Sequence, residues 1–452
     1  MGKPNSLGTD KLFSLILKLA IPSMVAQLVN VLYGIVDRVF ISYIPGIGDL
    51  ALAGVGVCVP IATLITSFSF LLGLGGAPLA AMKLGEGKPE IAEKIMSNAM
   101  TMLIIMSAII TVVFFIFKKP MLLAFGASEA TLPYANEYLS VYILGSIFSL
   151  LTMGLNNFIV CQGFSKQGMM TVILGAVINL CLDPLFIFVF KMNVFGAALA
   201  TVIAQMASCI WVLLFLTGKS TTIKLKFEKL VPQIMLKIVT IGLSPFFIMM
   251  TESVAIIVLN TVLQKYGGDL YITAGTIVVS FVQIITSPMG GMTMGCQPIL
   301  SFNYGARNDK RVLHAFVGVA LTCMAYGAFM LILAFSIPQF FVAIFTSDAQ
   351  ISAIAVEGIK YFGSCLIFLG LQYACVDNLV ALGASAVSVT LSLIRKLGLV
   401  IPLTLLLPRF YGASAVFLAE PIAFTLSCAI SLTTVLIVYK KLMSKHKIIL
   451  DM

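Results

Sequence analysis

Asp183 stands in the run V-I-N-L-C-L-D-P-L-F, where Asn179 is the only other polar side chain. Four residues separate the two, so on a helix the amide and the carboxyl share one face. Pro184 has no N–H to give and leaves the Leu180 carbonyl without its helical donor. Together they make an oxygen-rich patch suited to a proton or a hard cation, although an N-cap at a helix break is the plainer structural account. Asp37, in L-Y-G-I-V-D-R-V-F-I-S-Y, follows Tyr33 by one turn; its alternative is local pairing with Arg38. Glu252 and Asp377 are equally isolated in apolar sequence, with Tyr373 one turn before Asp377, and Glu420 precedes Pro421. Glu137 and Glu357 lie near the ends of their runs and read as interfacial. Arg395 and Lys396 sit some ten residues into another run, and either snorkel to the surface or line an inner cavity. At mid-bilayer an acid costs roughly 2.5–3.5 kcal/mol on insertion scales, so such residues face a cavity or a partner.

The elements that must carry these groups are membrane helices. The chain has 452 residues, of which 60% are hydrophobic and 10% charged, with a mean hydropathy of +1.09. Soluble domains are nearer 45–50% apolar and about 25% charged, so lipid has to be the solvent. That excludes a soluble enzyme, a nucleic-acid-binding protein and a secreted domain. Twelve runs are long enough to span, near 12–43, 51–77, 95–117, 134–160, 169–190, 196–216, 234–264, 271–297, 313–337, 354–379, 385–407 and 411–438. Pro22, Pro184, Pro245 and Pro402 fall inside them, which membrane helices tolerate where neighbours re-satisfy the freed carbonyls.

Charge orients the spans. Loops after even-numbered spans and the two tails hold most of the 28 Lys and Arg, including Lys83, Lys88, Lys224, Lys226, Arg307 and Lys440. Loops after odd-numbered spans hold only Lys118, Lys119, Lys191, Lys265 and Arg409. The positive-inside rule then places both termini in the cytoplasm, and the net charge of +10 is a topology signal. Sliding the halves by about 220 residues aligns Gly75 with Gly295, Pro78 with Pro298, Gly85 with Gly305 and Gly163 with Gly383. An even number of spans per half makes the repeats parallel, with a substrate site expected near the midplane. The expected organisation is an N-lobe over 1–216 (spans 1–6), a cytoplasmic linker over 217–232, a C-lobe over 233–440 (spans 7–12) and a cytoplasmic tail over 441–452.

No energy-coupling nucleotide site is legible. Gly218-Lys219-Ser220 lacks the earlier glycine of a P-loop, and Gly85-Glu86-Gly87-Lys88 is followed by Pro89. Transport would have to run on ion gradients, with no cofactor beyond Na⁺ or H⁺, no nucleic-acid or nucleotide partner, and no enzymatic activity. The nine cysteines lie in apolar runs without a C-x-x-C pair, so they read as small hydrophobes. No N-x-[ST] acceptor falls in a predicted loop, which points to a prokaryotic inner membrane. Among the 23 Met, Met24, Met206, Met249 and Met250 would suit an adaptable ligand wall, while lipid-facing filler accounts for most of the rest.

Twelve spans in parallel halves, the paired Pro22 and Pro245, the N-x-x-x-D-P of Asn179–Pro184 and the following G-A-A-L-A-T at 196–201 resemble the multidrug and toxic compound extrusion (MATE) family. The resemblance implies an all-α integral membrane protein with two pseudo-symmetric six-helix lobes around a central cavity. It implies a Na⁺- or H⁺-coupled antiporter that exports amphipathic, cationic organic compounds by alternating access, as a monomer in contact with lipid. The N-lobe cation site, a Na⁺ site if sodium-coupled, then falls on Asp37, Asn179, Asp183 and Thr201. A C-lobe site falls on Glu252, Tyr373 and Asp377, and the drug cavity on Tyr33, Asn156 or Asn157, with Met206 and Met250. Carrying both acid sets leaves the coupling site open. The alternatives are a flippase for lipid-linked sugars, disfavoured by few intramembrane cations, a major-facilitator antiporter, disfavoured by the K-L-G-E-G-K-P-E loop, and a channel.

Overall fold

The computed structural model describes residues 6–125, 127, 129–345 and 348–450. Eleven helices are long and apolar enough to cross a membrane, and a bent pair makes a twelfth span. In chain order these are α1 (Leu12–Ser42), α2 (Leu50–Gly85), α3 (Pro89–Ala124), α4 (Leu132–Cys161), α5 (Ser165–Val189) and α6 (Asn193–Thr217). They continue as α7 (Pro232–Leu263), α8 (Thr273–Gly305), α9 (Asp309–Ser336), the bent α10 (Ala349–Gly363 and Leu366–Ala381), α11 (Ser385–Tyr411) and α12 (Ala413–Lys441). Each is apolar on most of its circumference because one side meets lipid and the other meets neighbouring helices. The arms of α10 meet at 53°. There Gly327 of α9 lies so close that a Cβ would strike the Leu366 carbonyl. Helix α7 turns into α8 across Gly268, which takes a left-handed φ of 63°.

Two compact units result. Unit 1 holds residues 1–7 and 25–246, and unit 2 holds 8–24 and 247–452. Two spans therefore change unit part-way: α1 between Met24 and Val25, and α7 between Phe246 and Phe247. Pro22 and Pro245 stand beside these two points, where a missing N–H weakens the helix. Glycines explain why each short segment stays with its unit. In unit 1, Gly75 of α2 lies against the Ile238 carbonyl of α7, and Gly242 lies against the Leu71 carbonyl. In unit 2, Gly295 of α8 lies against the Leu19 carbonyl and Ser23 of α1. Without a hydrophobic drive between helices in lipid, such close backbone approach through small residues is a main source of helix association. Gly75 and Gly295 are the pair aligned by the 220-residue repeat, and the structure gives them the same task. Unit 2 also ties down the start of α1, where the Arg311 guanidinium donates to the Asp10 carbonyl at 2.6 Å.

The segment after α6 lies outside any helix until Pro232, and side chains of unit 1 hold it. Gln162 Oε1 accepts from the Thr221 hydroxyl (2.8 Å) and from the N–H groups of Thr222 (2.8 Å) and Ile223 (3.0 Å). Glu93 accepts from the Lys224 N–H at 2.9 Å and Lys226 at 2.6 Å, and Asn98 Oδ1 accepts from the Val231 N–H at 2.8 Å. Thr221 and Ile223 are buried.

Two outcomes follow. Gly295→Leu forces a side chain into the α1 backbone and should cost about 1–3 kcal/mol, read as a Tm several degrees lower in detergent. Gln162→Leu strands the N–H groups of Thr222 and Ile223, the Thr221 hydroxyl keeping the Ile223 carbonyl, and should speed trypsin cleavage in the Lys219–Lys229 stretch. Glu93→Gln, which removes a surface ion pair, should change cleavage little.

Candidate functional site

Unit 1 gathers the four residues of the expected N-lobe set. Asp37 lies on α1 near its C-terminal end, Asn179 and Asp183 lie one turn apart on α5, and Thr201 faces them from α6. Asn179 Nδ2 donates to Asp183 Oδ1 at 3.1 Å and reaches Thr201 Oγ1 at 3.4 Å. The Thr201 hydroxyl donates in turn to the Ala197 carbonyl at 3.1 Å, one turn back. The carboxyls of Asp37 and Asp183 are in hydrogen-bonding contact, and Tyr33 bonds to Thr201. Asp183 is 0% exposed and Asp37 7%. After Pro184 the helix loosens into a π turn over Leu185–Val189, a widening common at functional sites.

Charge is the distinctive feature of this cluster. Asp37 Oδ1 and Asp183 Oδ2 are buried without a hydrogen-bond partner. No Lys or Arg forms an ion pair with either acid among the described residues. Two carboxyls in contact in a dry setting cannot both ionise cheaply, so one takes a proton or a cation comes between them. The donor set is two carboxylates, an amide and a hydroxyl. All four are hard oxygen donors or amide groups, of the kind that hard cations and protons take.

Tyr138 and Tyr142 of α4 belong to the same neighbourhood and escaped the sequence reading. Their rings stack with centroids 6.3 Å apart, Tyr138 lies within electrostatic range of Asp37, and Tyr142 lies near Ser149 and Gln205. Their signal was a Tyr-x-x-x-Tyr spacing that puts both rings on one face. Asn156 and Asn157, on the same helix, are directed elsewhere. Asn156 donates to the Gly168 carbonyl at 3.3 Å and Asn157 to the Met153 carbonyl at 2.8 Å. They lie 14 or more residues along α4 from Tyr142, about 20 Å by helical rise. Met206 is half-buried in unit 1, and Met250 is exposed in unit 2.

Unit 2 treats its acids differently. Lys396 Nζ donates to Glu252 Oε1 at 2.9 Å and to Glu420 Oε1 at 2.8 Å, and stands 2.8 Å from Glu252 Oε2 in the same ion pair. Asp377 instead accepts from the Thr293 hydroxyl of α8. Tyr373 lies within electrostatic range of Glu252, Asp377 and Glu420. Arg395 stacks on Phe424, its guanidinium carbon 4.5 Å from the ring centre. Arg395 and Lys396 are both buried, so the snorkelling alternative is discarded. They occupy a π-helical stretch, Ile394–Val400, that carries two adjacent cations inward. Glu252 and Asp377 thus share a region without sharing a ligand, and Glu252 has a resident cation.

Comparison with known proteins agrees with this architecture. The MatE family model matches residues 22–185 and again residues 245–406, the two matches lying about 220 residues apart. The multidrug export protein MepA of Staphylococcus saprophyticus is 25% identical over 437 residues, covering 95% of this chain and 94% of its own. An outward-facing multidrug resistance MATE family transporter of the MOP superfamily superposes with a TM-score of 0.91 at 20% identity, covering 98% of this chain and 99% of its own. A MOP superfamily transporter from Pyrococcus furiosus, described as having a binding pocket of reverse polarity, superposes with a TM-score of 0.92 at 20% identity, covering 98% and 99%. With one family model fitting both halves of a twelve-span, all-helical membrane protein, the chain belongs to the MatE family.

Proposed function

We propose that this protein is a secondary active exporter of amphipathic, cationic organic compounds, driven by Na⁺ or H⁺ entering through unit 1. The observation that carries the reading is the pair of buried carboxylates, Asp37 and Asp183, in mutual contact and in ion pairs with no Lys or Arg among the described residues, Arg38 acting on Asp37 only at longer range. Such a site is expensive when empty and ionised, and cheap when it holds a proton or a sodium ion. The relative named as a multidrug export protein supports the direction and breadth of transport. Both termini lie in the cytoplasm of a bacterial inner membrane, as the loop charges require.

The chemistry of exchange follows from linkage. If the ion expels substrate, substrate must weaken ion binding by the same factor. Tyr33 bonds Thr201 inside the ion cluster, so a ligand that touches Tyr33 is in a position to feel the ion's arrival. Helix α1 carries Asp37 in unit 1, while its first half, 8–24, belongs to unit 2. An ion at Asp37 therefore acts on a span that both units share, and alternating access would be biased through it. One elementary charge moving inward gains about 2.3 kcal/mol per 100 mV. At about 150 mV that is roughly 3.5 kcal/mol, enough to hold a neutral substrate at a gradient of a few hundred-fold. A monovalent cationic substrate exchanged for one ion moves no net charge, so it needs a chemical ion gradient or a second coupling ion.

Purified protein in liposomes, with Na⁺ and pH gradients imposed separately, tests the proposal. Wild-type protein should move a fluorescent organic cation against its gradient under one of the two. Asp183→Asn should fold with little change in Tm and lose coupled transport by at least tenfold. Full export by Asp183→Asn would rule out a coupling role for its carboxylate. Cysteines introduced beside Lys224 should be labelled from the cytoplasmic side only.

A further inference from the structure

Two acids of unit 2, Glu252 and Glu420, already share a buried cation. Lys396 donates one N–H to Glu252 Oε1 and one to Glu420 Oε1, and its Nζ also lies 2.8 Å from Glu252 Oε2 in the ion pair. Its side chain is 3% exposed, whereas that of Glu252 is 47% exposed, so the cation lies beneath the acids it serves. Arg395, the next residue, is buried with Nη1 unpartnered and adds a second positive charge within electrostatic range of Glu252. Glu252 and Glu420 with Lys396 and Arg395 sum to zero among themselves with no ion added. A soluble cation entering here would leave net positive charge in a poorly screened setting. It would also have to displace an ammonium that cannot diffuse away.

We propose that Lys396 is a tethered counter-cation, occupying the position between Glu252 and Glu420 that a monovalent ion would otherwise take. The unit 2 acids are thereby withheld from ion binding, while unit 1, with two carboxylates and no resident cation, is left open to it. That second consequence, a single coupling site in unit 1, rests on the exporter reading above. Asp377 does not restore a site, since Thr293 meets its carboxylate and no further acid shares an ion pair or hydrogen bond with it among the described residues. The π-helical stretch of α11 is the device that makes this possible, because it brings Arg395 and Lys396 into the interior together.

The test is thermal unfolding of the full-length protein in detergent, with glucamine chloride exchanged for NaCl or methylammonium chloride at constant ionic strength. Lys396→Ala should lose several degrees of Tm and recover about 2 °C or more between 1 and 100 mM methylammonium or Na⁺. Lys396→Arg should stay insensitive at this site. Asp183→Asn, with Lys396 intact and the unit 1 site removed, should show no cation-dependent rise. A folded Lys396→Ala protein that ignores both cations would overturn the proposal. So would an Asp183→Asn protein that still gains stability from Na⁺ and loses the gain on adding Glu252→Gln. If Lys396→Ala does not fold, Lys396→Ala with Glu420→Gln leaves one carboxylate and carries the same expectation. Absence of export by wild-type protein in vesicles would strike the exporter reading and leave these unfolding results where they are.

Discussion

Hydrocarbon neither screens charge nor offers a hydrogen bond, so every ionised group in the membrane has to be met by the protein itself or by an ion it recruits. The two units answer this constraint in opposite ways. In unit 2, one lysine pairs with two glutamates, and a neighbouring arginine lies within electrostatic range of one of them. In unit 1, two aspartates meet each other with an amide and a hydroxyl between the helices, and one oxygen of each is left over. The same backbone plan thus carries a closed account and an open one. An open cluster is the natural place for exchange, because its empty and loaded states differ most in energy.

The helices that bear these groups are positioned by backbone contact more than by side-chain bulk. Gly75 and Gly242 let α2 and the first part of α7 approach to contact in unit 1, and Gly295 does the same for α8 and the first part of α1 in unit 2. Close approach at one end of α1 and a buried carboxylate near the other give that helix two masters. Pro22 falls within the first of these contacts, between Leu19 and Ser23, where the missing N–H makes the helix easiest to bend.

Much of this was legible in the amino-acid sequence because membranes simplify the problem. Length and apolarity locate the spans, and the repeat aligns Gly75 with Gly295 before any contact is seen. Asn179 and Asp183 had to share a face, and Asp37 and Thr201, which only the family resemblance grouped with them, lie beside them in the structure. What stayed out of reach depends on rotation and partner choice between distant spans. Lys396 and Glu252 are 144 residues apart, and nothing local says that one will neutralise the other. Likewise the periodicity of α4 does not say whether Tyr138 and Tyr142 or Asn156 and Asn157 sit at the level of Asp37. The Gln162 contacts that hold the segment after α6 join residues about 60 apart and leave no pattern in the sequence.

The division of α1 and α7 between units also says something about descent. Each half of the chain contains six spans, yet neither half contains a complete unit, because 8–24 completes unit 2 and 232–246 completes unit 1. A single-copy ancestor with this arrangement would have been incomplete alone. It would have closed its fold by exchanging the first half of its first helix with a second copy, a domain-swapped dimer of parallel subunits. Fusion of two such genes would then preserve the exchange inside one polypeptide and free the copies to diverge. Lys396 beside two glutamates in one unit and an Asp37–Asp183 pair with no ion-paired lysine or arginine among the described residues in the other show how far the two units differ in the charges they carry.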